Sequence, residues 1–351
     1  MRNTYFLGGA SPDGFETDFY REQRHCCGIL LKGGPGTGKS TLMKRVAAAF
    51  PEEDVSVYHC ASDPRSLDAV VLEQRGIYVA DATAPHEAGT PLPGVTGILL
   101  DLAAGIGTET MQDAAETVRA LHAANQAAHL QARKGFAGIA ALEAQIIAAG
   151  ERALLRGKLQ RYAEGLAGRI LPKKNGTQGR LLYRQRIAVT PDGRQAFLPQ
   201  DFDLIVLSDP ARTAAVMLLR LLAESAAERG LTAELTRSLT RADRAAVMLV
   251  LPEQKLVLAA EEALPRDAET VPVTVLHLRR FYDADMLRQH RTLIRFCAKS
   301  AAAAEEQTAA LLRDALRIHD ELETQYIRVL DTKQLDRTAD ALIDQIKHYQ
   351  T

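Results

Sequence analysis

The chain has 351 residues, with 43 Lys and Arg against 44 Asp and Glu and a formal net charge of −1. At about 150 residues per domain this length implies roughly two domains, long enough to bury cores without disulfide or metal staples. A composition that is 46% hydrophobic and 25% charged excludes a disordered chain, and near-neutrality removes any global attraction to nucleic acid.

The opening segment MRNTYFLGGASPDG has no apolar run of signal-peptide length. No stretch reaches the roughly 18 apolar residues of a membrane span. The expectation is a cytoplasmic protein with no membrane partner. The four cysteines, Cys26, Cys27, Cys60 and Cys297, make no C-x-x-C pair, and His25 beside Cys26 completes no metal pattern. They read as reduced thiols, with Cys26 and Cys27 as small core residues.

Taken in order, the apolar run Ile29, Leu30, Leu31 predicts a buried parallel strand. Residues 33–40 follow as GGPGTGKS, which fits G-x-x-x-x-G-K-[ST]. Residues 40–50 then read as a helix that Pro51 ends. Gly33, Gly34, Pro35, Gly36, Thr37, Gly38, Lys39, Ser40 and Thr41 form a candidate phosphate cradle. Its glycines let successive N–H groups point at phosphate oxygens, and the helix N-terminus adds its positive end. In such a cradle Lys39 reaches the β- and γ-phosphates and the Ser40 hydroxyl ligates Mg²⁺.

Val55–His59 alternates like a strand and leads into Cys60, Ser62, Asp63, Pro64 and Asp68. The carboxyl ends of strands in an α/β sheet face the ligand crevice, so Asp63 and Asp68 are candidate bases or substrate-binding acids. Helix capping by Ser62 or Asp63 ahead of Pro64 is the competing reading. Ile77–Asp81 is a second apolar strand ending in an acid, placed so that Asp81 can hold Mg²⁺ through water. Thr83 and His86, just beyond it, are within reach of a γ-phosphate or a second substrate, or belong to a plain loop. Residues 108–169 are Ala-rich and read as helix, and residues 173–179 (KKNGTQG) as a linker.

The sequence then repeats. SPDG at residue 11 recurs as TPDG at residue 190, LLKGGPGTGKSTLMKR as VLSDPARTAAVMLLR, LEQRGIYVADA as LPEQKLVLAAEE, and GVTGILLDL as PVTVLHLRR. The order is kept and the offset stays nearly constant, close to half the length of the chain, as a duplication requires. In the second copy Lys39 is matched by Ala214, Ser40 by Ala215, Gly36 by Ala211, Gly38 by Thr213 and Gly34 by Asp209. Asp81 falls against Glu261 or a neighbouring Ala. Ala neither neutralises phosphate nor ligates magnesium, so this half is a scaffold or a donor of residues to the first. Arg212, Arg241 and Arg244 are candidate arginine fingers or solvated and ion-paired residues. From about residue 283 the chain is helical again, and Leu311, Ala315, Ile318, Leu322, Tyr326 and Val329 form one apolar stripe. The basic clusters at residues 169–174 and 279–280 lack interleaved aromatics, so nucleic acid is not an expected partner.

GPGTGKST resembles the Walker A motif of P-loop NTPases in the spelling common among AAA-type ATPases, and Ile77–Asp81 looks like a Walker B strand. Those enzymes usually place a water-activating Glu after that Asp, whereas Ala82 stands here. Most of the chain resembles a little-characterised bacterial family of tandem P-loop ATPases. Its HCSSDP-like and DGTAPH-like segments read here as residues 59–64 (HCASDP) and 81–86 (DATAPH).

The readings together imply an α/β fold of two related P-loop NTPase-like halves, parallel sheets flanked by helices with helical insertions. The halves are expected at 1–172, with helices near 108–169, and at 173–351, with helices near 283–351. The expected function is Mg-dependent ATP hydrolysis coupled to conformational change. Lys39, Asp63, Asp68 and Asp81 are the catalytic candidates, and Ser40 and Asp81 the Mg²⁺ ligands. A small-molecule phosphotransferase and a non-catalytic nucleotide sensor or scaffold are the alternatives. The absence of an N-K-x-D base-reading motif favours ATP over GTP. Any protein partner or second substrate is left open.

Overall fold

The computed structural model describes residues 2–86, 92–173, 178–265 and 273–349. The first repeat runs β1 (Arg2–Phe6), β2 (Gly9–Ser11), β3 (Gly14–Glu16), α1 (Phe19–Glu22), β4 (Cys27–Lys32), α2 (Lys39–Ala49), β5 (Val55–His59), β6 (Leu67–Leu72), β7 (Ile77–Asp81) and β8 (Gly97–Asp101). Helices α3 (Thr108–Asp113), α4 (Ala115–Ala153) and α5 (Arg156–Ile170) follow. The second runs β9 (Arg180–Tyr183), β10 (Ile187–Thr190), β11 (Gly193–Ala196), β12 (Asp203–Ser208), α6 (Ala214–Glu228), β13 (Thr232–Arg237), β14 (Ala246–Leu251), β15 (Leu256–Ala260) and β16 (Val273–His277). It closes with α7 (Ala284–Gln289), α8 (Arg291–Ile327) and α9 (Thr332–His348).

Each repeat builds a six-stranded sheet with the same strand order, β1-β5-β6-β7-β4-β8 and β9-β13-β14-β15-β12-β16. Registers match as well: Leu31 pairs with Asp81 in the first sheet, and Leu207 with Ala260 in the second. The counterpart of Asp81 is therefore Ala260. The short hairpins β2-β3 and β10-β11 correspond too.

The sheets are mixed, which corrects the expectation of parallel ones. β6 runs antiparallel to both β5 and β7, as β14 does to β13 and β15. Only residues 73–76 separate β6 from β7, and a parallel crossover needs a dozen or more. A 3₁₀ turn over Glu73–Arg75 ends in Gly76 at φ 56°, which turns the chain straight back.

The chain divides into two compact units: residues 1–9, 17–132 and 309–351 in one, and 10–16 and 133–308 in the other. These are not the contiguous stretches 1–172 and 173–351, because the helical tails are exchanged. α9 buries Ala339, Leu342, Ile343 and Ile346 in the core of the first sheet with Leu42, Val46 and Val79. Their i, i+3, i+4, i+7 spacing makes one apolar face, and Asp331 caps the helix by accepting from the Gln334 amide at 3.1 Å. Reciprocally, α5 buries Leu159, Ala163, Leu166 and Ala167 in the second core beside Leu218 and Leu222. Fully burying each Leu or Ile contributes about 1.5–3 kcal/mol, which fixes both exchanges. The connectors are α4 and α8, of 39 and 37 residues. Each is about ten turns long, so its two ends serve different units. Residues 174–177 of the expected linker lie outside the described residues. Among the described residues no helix is long and apolar enough to cross a membrane.

Candidate functional site

The glycine-rich loop joins β4, between β7 and β8, to the N-terminus of α2. Gly36 and Gly38 sit at φ 69° and 85°, left-handed values that side-chain-bearing residues rarely adopt. Gly38 is the N-cap of α2, and its carbonyl accepts from the Leu42 amide at 2.9 Å. Thr37 is buried and donates to the Gly34 carbonyl at 2.8 Å, tightening the turn. Lys39 curls over the loop: its Nζ donates to the carbonyls of Gly33 and Gly34 at 2.8 Å each and lies 3.6 Å from Asp81 Oδ2. Ser40 Oγ accepts from the Leu67 amide at 3.0 Å, tying α2 to the start of β6. Asp81 Oδ1 accepts from the Thr83 amide at 2.8 Å, and Thr83 Oγ1 donates to the Gly33 carbonyl at 2.9 Å. The strand ends thus bring Lys39, Ser40, Asp81 and Thr83 together around one loop. Thr41 faces solvent.

Sequence reasoning missed what covers this loop. The Gly36 amide donates to Glu323 Oε1 of α8 at 3.2 Å. A Cβ on Gly36 would lie 2.8 Å from the Glu323 carbonyl, and one on Gly34 3.3 Å from the Tyr326 ring. A Cβ on Gly38 would collide with Leu335 of α9. Gly36 is therefore needed for close helix approach as well as for backbone angle. The Glu323 carboxyl is held below the usual glutamate range, chiefly by His319, with the Gly36 amide adding to it. No local pattern could reveal a partner so far along the chain, although Tyr326 was legible on the apolar stripe.

The expected acids separate. Asp63 sits in a turn, not at a helix cap: its carboxylate accepts from Arg65 Nε and Ser66 Oγ, both at 2.7 Å. Burial opposes ionisation there, yet these contacts hold its carboxyl below the usual range. Asp68 is buried at the head of β6, where its neighbour Ala69 pairs with Ala80 beside Asp81. Burial pushes its pKa up, and Asp81 adds to this, while His86 and the Cys60 thiol oppose it. His86 Nε2 lies 3.4 Å from Asp68 Oδ2, and Cys60 completes a cluster whose ligand-capable atoms all lie within 4.8 Å of one another. Burial also raises the Cys60 thiol. None of the four cysteines is in a disulfide, and Cys26 and Cys27 are half-buried, more exposed than core residues.

The corresponding loop of the second repeat is filled from within. Asp209 Oδ2 accepts from the Ala215 amide at 2.8 Å, and Oδ1 from the Ala211 amide at 3.1 Å and the Tyr282 hydroxyl at 2.7 Å. Arg212 pairs with Glu143 at 2.9 Å. Arg241 pairs with Asp243 at 2.7 Å and donates to the Arg212 carbonyl. Arg244 pairs with Glu16. All three arginines are thus ion-paired within the second unit. Glu262, beside this loop, is pushed up to about 7 by burial and by Asp209, against the pull of Arg212.

Compared with protein-family models, curated proteins and solved structures, the chain matches none.

Proposed function

We propose that residues 33–41 are a P-loop that binds Mg-ATP, and that hydrolysis there is coupled to movement of α8 and α9. The observation that carries this reading is the GGPGTGKS turn between an interior strand and a helix, with Lys39 at the helix start 3.6 Å from Asp81. The loop amides and the α2 N-terminus would receive the phosphate oxygens. Lys39 would leave the Gly33 and Gly34 carbonyls for the β- and γ-phosphates. Ser40 and Asp81 supply the hard oxygen donors that suit Mg²⁺, which when bound neutralises charge on the β- and γ-oxygens.

The cover over the loop supports the coupling. Glu323 stands on an amide that phosphate would need, and Tyr326 and Leu335 close on the loop glycines. An anion bound there repels a carboxylate, so nucleotide entry displaces the end of α8, and its loss readmits Glu323. A second reading, nucleotide sensing without turnover, is favoured by Ala82 in the place where related ATPases carry their catalytic Glu.

Incubation of the full chain with Mg²⁺ and γ-labelled ATP tests the proposal. Label released to water, with turnover falling at least about 100-fold in Lys39→Ala, is the expected result. Label appearing on a small-molecule acceptor would establish a kinase instead. Tight binding without turnover would establish the sensor, and no Lys39-dependent binding would remove the reading altogether.

A further inference from the structure

The Cys60, Asp68 and His86 cluster is not used by the phosphate chemistry above, and three features set it apart from a chance grouping. The first is its donor set, one thiol, one carboxylate and one imidazole. These come from the end of β5, the start of β6 and the turn after β7, and their ligand-capable atoms lie within 4.8 Å of one another. The second is construction. The Cys60 amide donates to the Ser66 carbonyl at 3.1 Å, closing the β5–β6 connection so that residues 60 and 68 return to the same place. The Tyr20 hydroxyl contacts the carbonyls of Asp81 and His86 at 3.1 and 3.3 Å, pinning the backbone that carries the imidazole. The third is an unmet requirement. Asp68 is 5% exposed, and its Oδ2 is buried without a hydrogen-bond partner, facing His86 Nε2 at 3.4 Å. A buried carboxylate oxygen in that condition is costly unless a cation meets it.

We propose that Cys60 Sγ, Asp68 Oδ2 and His86 bind a borderline-soft divalent cation of the Zn²⁺ class, distinct from the Mg²⁺ of the nucleotide site. Tetrahedral coordination at ordinary zinc distances places ligand atoms about 3.4–3.7 Å apart. The Asp68 and His86 pair already meets that separation, and the widest pair in the cluster closes by about 1 Å. Thiolate and imidazole select Zn²⁺, Co²⁺ or Fe²⁺ and reject Mg²⁺. Binding breaks the Cys60 S–H bond: the electron pair stays on sulfur and forms the S–metal bond, and the proton leaves to solvent. Three protein ligands leave the fourth position to water, the arrangement of catalytic rather than structural zinc. The site adjoins the candidate Mg²⁺ ligands, because Leu67, next to Asp68, bonds Ser40, and β6 pairs with the strand carrying Asp81.

Titration of the chelator-treated full chain with Co²⁺, without nucleotide, reads the site independently of any ATP chemistry. The expected result is about one Co²⁺ per chain, with a thiolate-to-cobalt charge-transfer band and visible bands of tetrahedral intensity, both bleached by Zn²⁺. Cys60→Ser removes the charge-transfer band, and His86→Gln weakens Co²⁺ binding by at least about tenfold. Cys27→Ala leaves both unchanged. Circular dichroism confirms that each variant is folded, and His86→Gln serves if Cys60→Ser is not. Substoichiometric Co²⁺, or a band that survives in Cys60→Ser or is lost in Cys27→Ala, would overturn the proposal and leave a hydrogen-bonded polar core.

Discussion

The loops that follow β4 and β12 begin alike, each leaving the strand next to one edge of its sheet and entering a helix, and each having its amides met by a carboxylate. The carboxylates differ in origin. At the second loop Asp209 belongs to the loop itself, is 6% exposed, and satisfies two amides and the Tyr282 hydroxyl. At the first loop Glu323 arrives from a helix near the other end of the chain, has a side chain 38% exposed, and satisfies one amide. A short, buried carboxylate bonded to two loop amides and a hydroxyl is a permanent filling, whereas a long, half-exposed one that holds a single loop amide and otherwise pairs with His319 on its own helix can leave. The duplication kept the scaffold twice and, on the proposed reading, kept an openable anion site once.

Three changes probe that contrast. Asp209→Ala should have the largest effect, because it strands two buried amides and a buried hydroxyl. Loss of about 3 kcal/mol of stability is expected in chemical denaturation, and no nucleotide affinity should appear, since Ala214 and Ala215 still lack charge and ligand. ATP binding that survives Lys39→Ala and depends on the second loop would break the comparison.

Glu262→Gln probes the same neighbourhood through pH. The folded-state pKa of about 7 lies above the ordinary 4.5, so the native state holds its proton more tightly than the unfolded one. Glu262 therefore costs nothing below about pH 4.5, costs progressively more as pH rises towards 7, and costs its full amount above that. The substitution should raise stability at pH 8 by about 2–3 kcal/mol and make no difference near pH 4, read as the shift in denaturation midpoint. An equal gain at both pH values would mean that the carboxyl is not titrating.

The smallest effect is expected for Glu323→Gln, which keeps the shape but removes the charge from the first loop. ATP should bind about three- to tenfold more tightly, the scale of one modest charge-assisted contact, with the melting temperature unchanged. Weaker binding would show that Glu323 helps nucleotide binding instead of competing with it.

Much of this was legible in local pattern. β5, β7, the run inside β4 and the helix after the glycine loop follow from apolar period and breakers, and those signals are local. The duplication was legible because both copies kept their order. β6 was overlooked although its evidence was present, since so short a gap between two apolar runs permits a hairpin and no crossover. Asp63 and Asp68 looked equivalent in sequence. They part because Arg65 and Ser66 sit beside one, while β-sheet burial surrounds the other.

The sequence alone determined the α/β class, the two matching repeats, the single intact glycine loop and the decay of its copy, because each depends on residues close together in the chain. Tertiary structure decided the rest. The exchange of α5 and α9, the Glu323 contact on Gly36 and the meeting of Cys60, Asp68 and His86 depend on where long helices and antiparallel strands deliver distant residues. Apolar faces specify that something must cover them, but only three-dimensional packing selects which segment does.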